Sequence, residues 1–260
     1  LTERRFIPGS ISGCAVPEKE PVRLPKRLWG LYYSGMKKAS SVPENDDGGF
    51  HRLNPDEIHR VFELLSAGNP APETELESTN AYTLLVAVIL SAQMTDKGVN
   101  RATGPLFERV STPAQMLELG EDGLKEYIKS VNLYPTKARH IIAMSRMLED
   151  NFGGTVPGDR ASLESLPGVG RKTANVVLNV VFGEAAMPVD THLLRLAPRL
   201  GLSSAATPRG VEDDLMRIIP AAWIRHAHHW LLLHGRYVCV ARKPKCAECV
   251  LSVLCPRNGL

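Results

Sequence analysis

From Asn54 onward, apolar residues recur three and four positions apart through most of the chain, which is the period of a helix with one buried face. Asn54-Pro55 supplies a side-chain cap and then a proline at the first helical position, with Ile58, Val61, Phe62, Leu64 and Leu65 as the apolar stripe. Asn80 caps a helix predicted over 81–92. Its residues are apolar on nearly every side, so it belongs in the middle of a bundle. Thr112-Pro113 opens another helix, Thr136 begins one through His140 and Met144, Asp159 caps a short one over 161–166, and Thr207-Pro208 starts one more. No useful length of chain alternates apolar and polar as a half-buried strand does. The pattern predicts an all-α fold.

Residues 1–52 have a different texture. Pro8, Pro17, Pro21, Pro25 and Pro43 interrupt any period, and Arg4, Arg5, Lys19, Arg23, Lys26, Arg27, Lys37 and Lys38 make the stretch basic, so a flexible basic N-terminal extension is expected there. The chain of 260 residues, 43% hydrophobic, suffices for one large or two ordinary domains. Its longest nearly apolar run, Tyr82 to Leu90, falls well short of the roughly 18 residues that span a membrane, and no basic start leads into an apolar block. The expectation is a cytoplasmic protein that is neither secreted nor membrane-bound. A net charge of +3 permits an acidic partner without requiring one. Its distribution says more, because Arg236, Arg242, Lys243, Lys245 and Arg257 stand against Glu248 alone near the C-terminus.

Four of the five cysteines lie within that basic stretch. Cys239, Cys246, Cys249 and Cys255 follow the spacing C-x6-C-x2-C-x5-C, which can complete the coordination of a cubic iron-sulfur cluster or of one zinc ion. Zinc fits the number of ligands but the spacing less well, since its sites usually pair two short C-x2-4-C knuckles and only Cys246 and Cys249 form one. Two disulfides are the plainer alternative, disfavoured in a chain that builds its own core. Cys14 has no partner nearby in sequence.

The stretch from Leu166 to Asn175, with Pro167-Gly168-Val169-Gly170 between two helical segments, reads as a helix-hairpin-helix. Gly168 and Gly170 clear the approach to backbone N–H groups, and Arg171 and Lys172 add charge where a phosphate would sit. Such contacts hold a nucleic-acid backbone without reading sequence. An ordinary αα-hairpin is the plainer alternative. A helix over 171–182 climbs about 18 Å, and the seven residues 183–189 can return about 25 Å. Asp190, which also reads as an N-cap, can therefore come level with Lys172. Beside Arg171 and at a helix N-terminus, Lys172 is expected to shift toward its neutral, nucleophilic form.

These residues, together with Leu90-Ser91-Ala92-Gln93, Thr95-Asp96, Val189 to His192, and His234-Gly235-Arg236-Tyr237, resemble the helix-hairpin-helix DNA glycosylases that carry an iron-sulfur cluster. The resemblance runs from about Asn54 to Arg257. It implies a base-excision repair enzyme, a bifunctional glycosylase and AP lyase that removes oxidised pyrimidines from duplex DNA and cuts 3′ to the abasic site by β-elimination. It further implies a six-helix domain over 74–184, a second domain of 53–73 plus 185–260, an active cleft between them, and a [4Fe-4S] cluster on the four cysteines. Damaged double-stranded DNA is the implied partner of a monomer in the bacterial cytoplasm, associated with the nucleoid. By resemblance Lys172 is the nucleophile and Asp190 the catalytic aspartate. Gln93 fills the gap left by the flipped nucleotide and Leu133 is an apolar wedge. DNA contacts fall to Gly168, Gly170, Arg171, His192, Arg242, Lys243 and Lys245. Asn132 stands where glycine is expected, and Pro135 stiffens that loop. His226, His228, His229 and His234 are taken as helix and core residues, with Trp230 and Tyr237 as packing. An adenine-mismatch glycosylase would lack a lysine at position 172, and a non-catalytic iron-sulfur DNA-binding protein would have lost Lys172 or Asp190; this chain keeps both.

Overall fold

The computed structural model describes residues 49–260; the expected extension, apart from 49–52, and Cys14 lie outside the described residues. Among the described residues there are ten α-helices and no strand. They are α1 (Pro55–Gly68), α2 (Ala81–Leu90), α3 (Asp96–Arg109), α4 (Pro113–Ile128), α5 (Tyr134–Phe152), α6 (Arg160–Ser165), α7 (Arg171–Val180), α8 (Thr191–Arg199), α9 (Pro208–Ile218) and α10 (Ala221–Tyr237). The caps sit where the polar-then-apolar pattern places them: Asn54 forms a capping box with Glu57, Asn80 forms one with Thr83, and Thr112, Asp159 and Thr207 each accept from an amide of the first turn. Helix α3 is absent from the sequence expectations because Gly98, Gly104 and Pro105 dilute its stripe, yet Val99, Ala102 and Leu106 are buried. Several ends also differ: the helix predicted over 171–182 stops at Val180, and the one predicted over 161–166 spans Arg160–Ser165. The helix predicted over 81–92 stops at Leu90, and α5 begins at Tyr134 rather than Thr136.

Two hydrophobic cores result. The first gathers α2 to α7 around α2, whose Leu85, Val86, Ala87 and Leu90 are fully buried. The second joins α1 to α8, α9 and α10 through Phe62, Leu193, Leu196, Leu215 and Leu231. Helix α1 is fixed to that second core from its start, where Leu53 N donates to the Gly201 carbonyl at 3.1 Å and Asn258 Nδ2 donates to the His51 carbonyl at 2.8 Å. Trp230 closes the other end, its indole N–H donating to the Asn69 carbonyl at 2.7 Å.

Polar side chains stitch the two cores together. Arg171 donates to both oxygens of Glu212, at 2.7 and 2.9 Å, and Glu212 is only 5% exposed. Arg236 donates to Glu75 and, at 2.6 Å, to Asp96, while the Tyr237 hydroxyl donates to Glu75 at 2.8 Å. The connector after α7 makes few bonds of its own to other backbone, so its carbonyls need donors. Two buried asparagines on one face of α7 supply them. Asn175 Nδ2 donates to the Met187 carbonyl at 3.2 Å, and Asn179 Nδ2 donates at 3.1 Å to the carbonyls of Ala186 and Arg225. Replacing Asn179 with leucine strands those carbonyls and should cost about 3 kcal/mol of stability, measured as a shift of the urea unfolding midpoint.

Candidate active site

Those asparagines bring the start of α8 back beside the start of α7. Lys172, second residue of α7, opens to solvent while the walls around it strip water from its ammonium. That desolvation is the largest influence on its pKa and lowers it below the ordinary lysine value; Asp190 and Asp96 oppose the shift and Arg236 reinforces it. Arg171, expected to depress Lys172, does not do so. Its guanidinium is turned onto Glu212, which cancels its charge, so the cation that acts on Lys172 is Arg236 from α10. The same pairing makes Arg171 an anchor between the cores.

Asp190 is the N-cap of α8 with an extended backbone, its Oδ1 accepting from His192 N at 2.8 Å and Leu193 N at 2.9 Å. These bonds aim the carboxylate, and among the described residues no hydrogen bond engages Oδ2. Amine and carboxylate influence one another electrostatically but form no ion pair, so neither is neutralised by direct contact. His192 Nδ1 lies 3.2 Å from Arg195 Nη2, and burial lowers the pKa of the ring. Helix α10 comes this close to α8 because Gly235 has no side chain: a Cβ there would stand 3.1 Å from His192 Cβ. Met94, Asp96, His192, Arg236 and Tyr237 line a cleft between the two cores. Tyr237 is therefore not packing; it is 42% exposed at that cleft and bonded to Glu75. Asp96, Arg236 and Glu75 escaped the sequence analysis as site residues, although the Thr95-Asp96 and Gly235-Arg236 pairs were already visible as signatures.

The two hairpin glycines differ. Gly168 has φ +82, and a Cβ on it would meet His140 Cβ at 2.9 Å, so both backbone and space demand glycine. Gly170 caps α7 at φ −98 with nothing within 4 Å of a Cβ, so the protein itself does not require it. Gln93 (φ 59) and Leu133 (φ 58) both adopt the left-handed conformation, at a cost of about 1 kcal/mol each. Both are exposed, Leu133 by 61%. Arg242, Lys243 and Lys245 are exposed on the segment closed by Lys245 N donating to the Val238 carbonyl at 3.0 Å.

The four C-terminal cysteines carry free thiols and face one small cavity, bounded also by Leu200, His234 and Val238. Four cysteines lining one cavity fit a cubic cluster, which takes one thiolate at each iron. Burial pushes the Cys249 thiol up to about 12 and raises Cys255, and a cluster that takes them as ligands would hold them as thiolates. Arg199 Nη1 lies 3.6 Å from the Cys239 sulfur, and Cys255 reaches the Arg199 carbonyl. His228, His229 and His234 are buried, and burial pushes His234 down to about 4.

Residues 86–221 match the model of the HhH-GPD superfamily base excision DNA repair protein, and residues 239–255 match the iron-sulfur binding domain of endonuclease III. Endonuclease III of Treponema pallidum is 59% identical over 203 residues, covering 78% of this chain and 96% of the relative. The chain belongs to the endonuclease III family. Endonuclease III of Escherichia coli is 50% identical over 195 residues, 75% of this chain and 92% of its own length. A solved trapped endonuclease III–DNA covalent intermediate has a TM-score of 0.75 and 42% identity, over 79% of this chain and 97% of that one. The all-helical fold and the cysteine loop are thus those of an endonuclease III, and its cofactor is the [4Fe-4S] cluster.

The hairpin should separate folding from binding. Gly168→Ala is expected to lose more than about 1 kcal/mol of unfolding free energy in a urea titration, whereas Gly170→Ala keeps wild-type stability and loses affinity for duplex DNA in a filter-binding titration.

Proposed function

We propose that this chain is a bifunctional DNA glycosylase and AP lyase of base-excision repair that removes oxidised pyrimidines from duplex DNA by way of a Schiff base on Lys172. The observation that carries this reading is the pair at the two helix starts: an amine displaced toward its neutral form, and a capped carboxylate that faces it without neutralising it. Once the damaged nucleotide has left the stack, Lys172 Nζ attacks the sugar C1′ as the bond to the base breaks. Asp190 takes the amine's proton and stabilises positive charge growing on the sugar. Ring opening yields an imine, loss of the C2′ proton expels the 3′ phosphate, and water then releases the lysine. The endonuclease III–DNA covalent complex among the structural neighbours supports this chemistry.

In this reading the two cores are domains, 74–184 and 53–73 with 185–260, and the cleft between them takes the flipped nucleotide. Backbone amides at Gly168 and Gly170 hold phosphate, with His192 lining the site, Gln93 entering the vacated space and Leu133 pressing the opposite strand. Cys239, Cys246, Cys249 and Cys255 hold the cluster, which acts by ordering the loop of Arg242, Lys243 and Lys245 against DNA. The enzyme works as a monomer on the DNA of a bacterial cytoplasm; no described helix is long and apolar enough to cross a membrane.

Borohydride reduction on a duplex containing thymine glycol should trap a covalent complex and be accompanied by strand cleavage, with both absent in Lys172→Ala; cleavage surviving in that variant would sink the assignment. Protonated lysine is inert, so its lowered pKa places the acidic limb of kcat/KM below the value of about 10.4 for a free lysine. Arg236→Met removes a cation that lowers the pKa of Lys172 and frees Asp96, which raises it, so the limb should move to higher pH.

A further inference from the structure

We propose that Asn132 is a positioning residue that locks Gln93 and Leu133 into one rigid DNA-probing unit; this rests on the proposed function, in which both side chains enter the duplex. Neither left-handed backbone would persist without neighbours that enforce it, because both residues carry a Cβ and both lie at the surface.

The enforcement comes from the start of α5. Lys137 is 6% exposed, and its ammonium donates to the Leu90 carbonyl at 2.8 Å and the Ala92 carbonyl at 2.6 Å, capping the end of α2 from beneath. Its reach stops there. The carbonyl of Gln93 itself is held by Asn132 Nδ2 at 2.7 Å, across 39 positions of sequence. Asn132 immediately precedes Leu133, whose own carbonyl accepts from Thr136 N and Lys137 N at 3.1 Å and so belongs to α5. One side-chain bond therefore joins the peptide that orients Gln93 to the peptide that orients Leu133. The glycine expected at position 132 has no donor to offer, so the lock is a property of this chain's own residue.

Such a lock matters only when two strands must be probed together. Gln93 and Leu133 would act on opposite strands at one step, and a spacing set beforehand avoids ordering two loops during binding. A single strand makes no such demand.

Asn132→Ala removes the donor at an exposed position, and Asn132→Gly repeats the change with the residue expected there. Amide hydrogen exchange at 91–94 and 131–134 in the free protein should quicken about fivefold in both. The Kd for a duplex bearing a tetrahydrofuran abasic analogue should rise about fivefold, the equivalent of one hydrogen bond's net ~1 kcal/mol, while the Kd for the single strand stays unchanged. In a Gln93→Ala, Leu133→Ala background, Asn132→Ala should weaken duplex binding no further. Unchanged exchange, equal losses on duplex and single strand, or a loss that persists in that background would each overturn the proposal. A wild-type protein that binds the lesion duplex no better than the undamaged one would instead defeat the proposed function, and the exchange rates would still decide whether the lock exists.

Discussion

Two buried amides on α7 fix the return of the chain from Lys172 to Asp190. Without Asn175 and Asn179 the connector to α8 would bury carbonyls with no donor, a penalty of about 1–3 kcal/mol for each. With them, the chain returns tightly along the helix it has just left. Lys172 and Asp190 thus come within electrostatic reach of one another although each is fixed by its own helix start, one in each core. The ion pairs Arg171–Glu212 and Arg236–Asp96 then keep the cores in register.

Charge at the site follows from this geometry rather than from sequence neighbours. Arg171 is adjacent to Lys172 in the chain, but about 100° of helix separates where the two side chains point, and Glu212 claims the guanidinium. Arg236, far away in sequence, is the cation that helps to hold the lysine's pKa down. Burial by the surrounding walls does more than either, a cause that no count of nearby charges reveals.

What the residues disclosed in advance divides along the same line. Capped helix starts at Asn54, Asn80, Thr112, Asp159 and Thr207 were legible because a cap is a local event, decided by one side chain and the amides just beyond it. The metal-type cysteine spacing and the Gly168–Gly170 turn were legible for the same reason. Helix α3 was not, since its thin stripe becomes helical only when the first core closes over Val99 and Leu106. The roles of Asn175 and Asn179 also stayed hidden, although two asparagines one turn apart in an apolar helix are a signal that buried carbonyls lie opposite. Tyr237 was misjudged as packing because the acid it meets, Glu75, lies across the cleft.

The second core closes a long loop in the chain, because α1 packs on helices that lie beyond the whole of the first core. During synthesis α1 leaves the ribosome early and must wait for α8 to α10, on the order of ten seconds at ordinary translation rates. Through that interval Val61, Phe62 and Leu65 have no surface of their own to bury against, while α2 to α7 can already assemble. Until the late helices emerge, the nascent protein holds the helices of the first core behind an α1 that has nothing to pack on. It gains the carboxylate that faces Lys172 only when the late helices capture the early one.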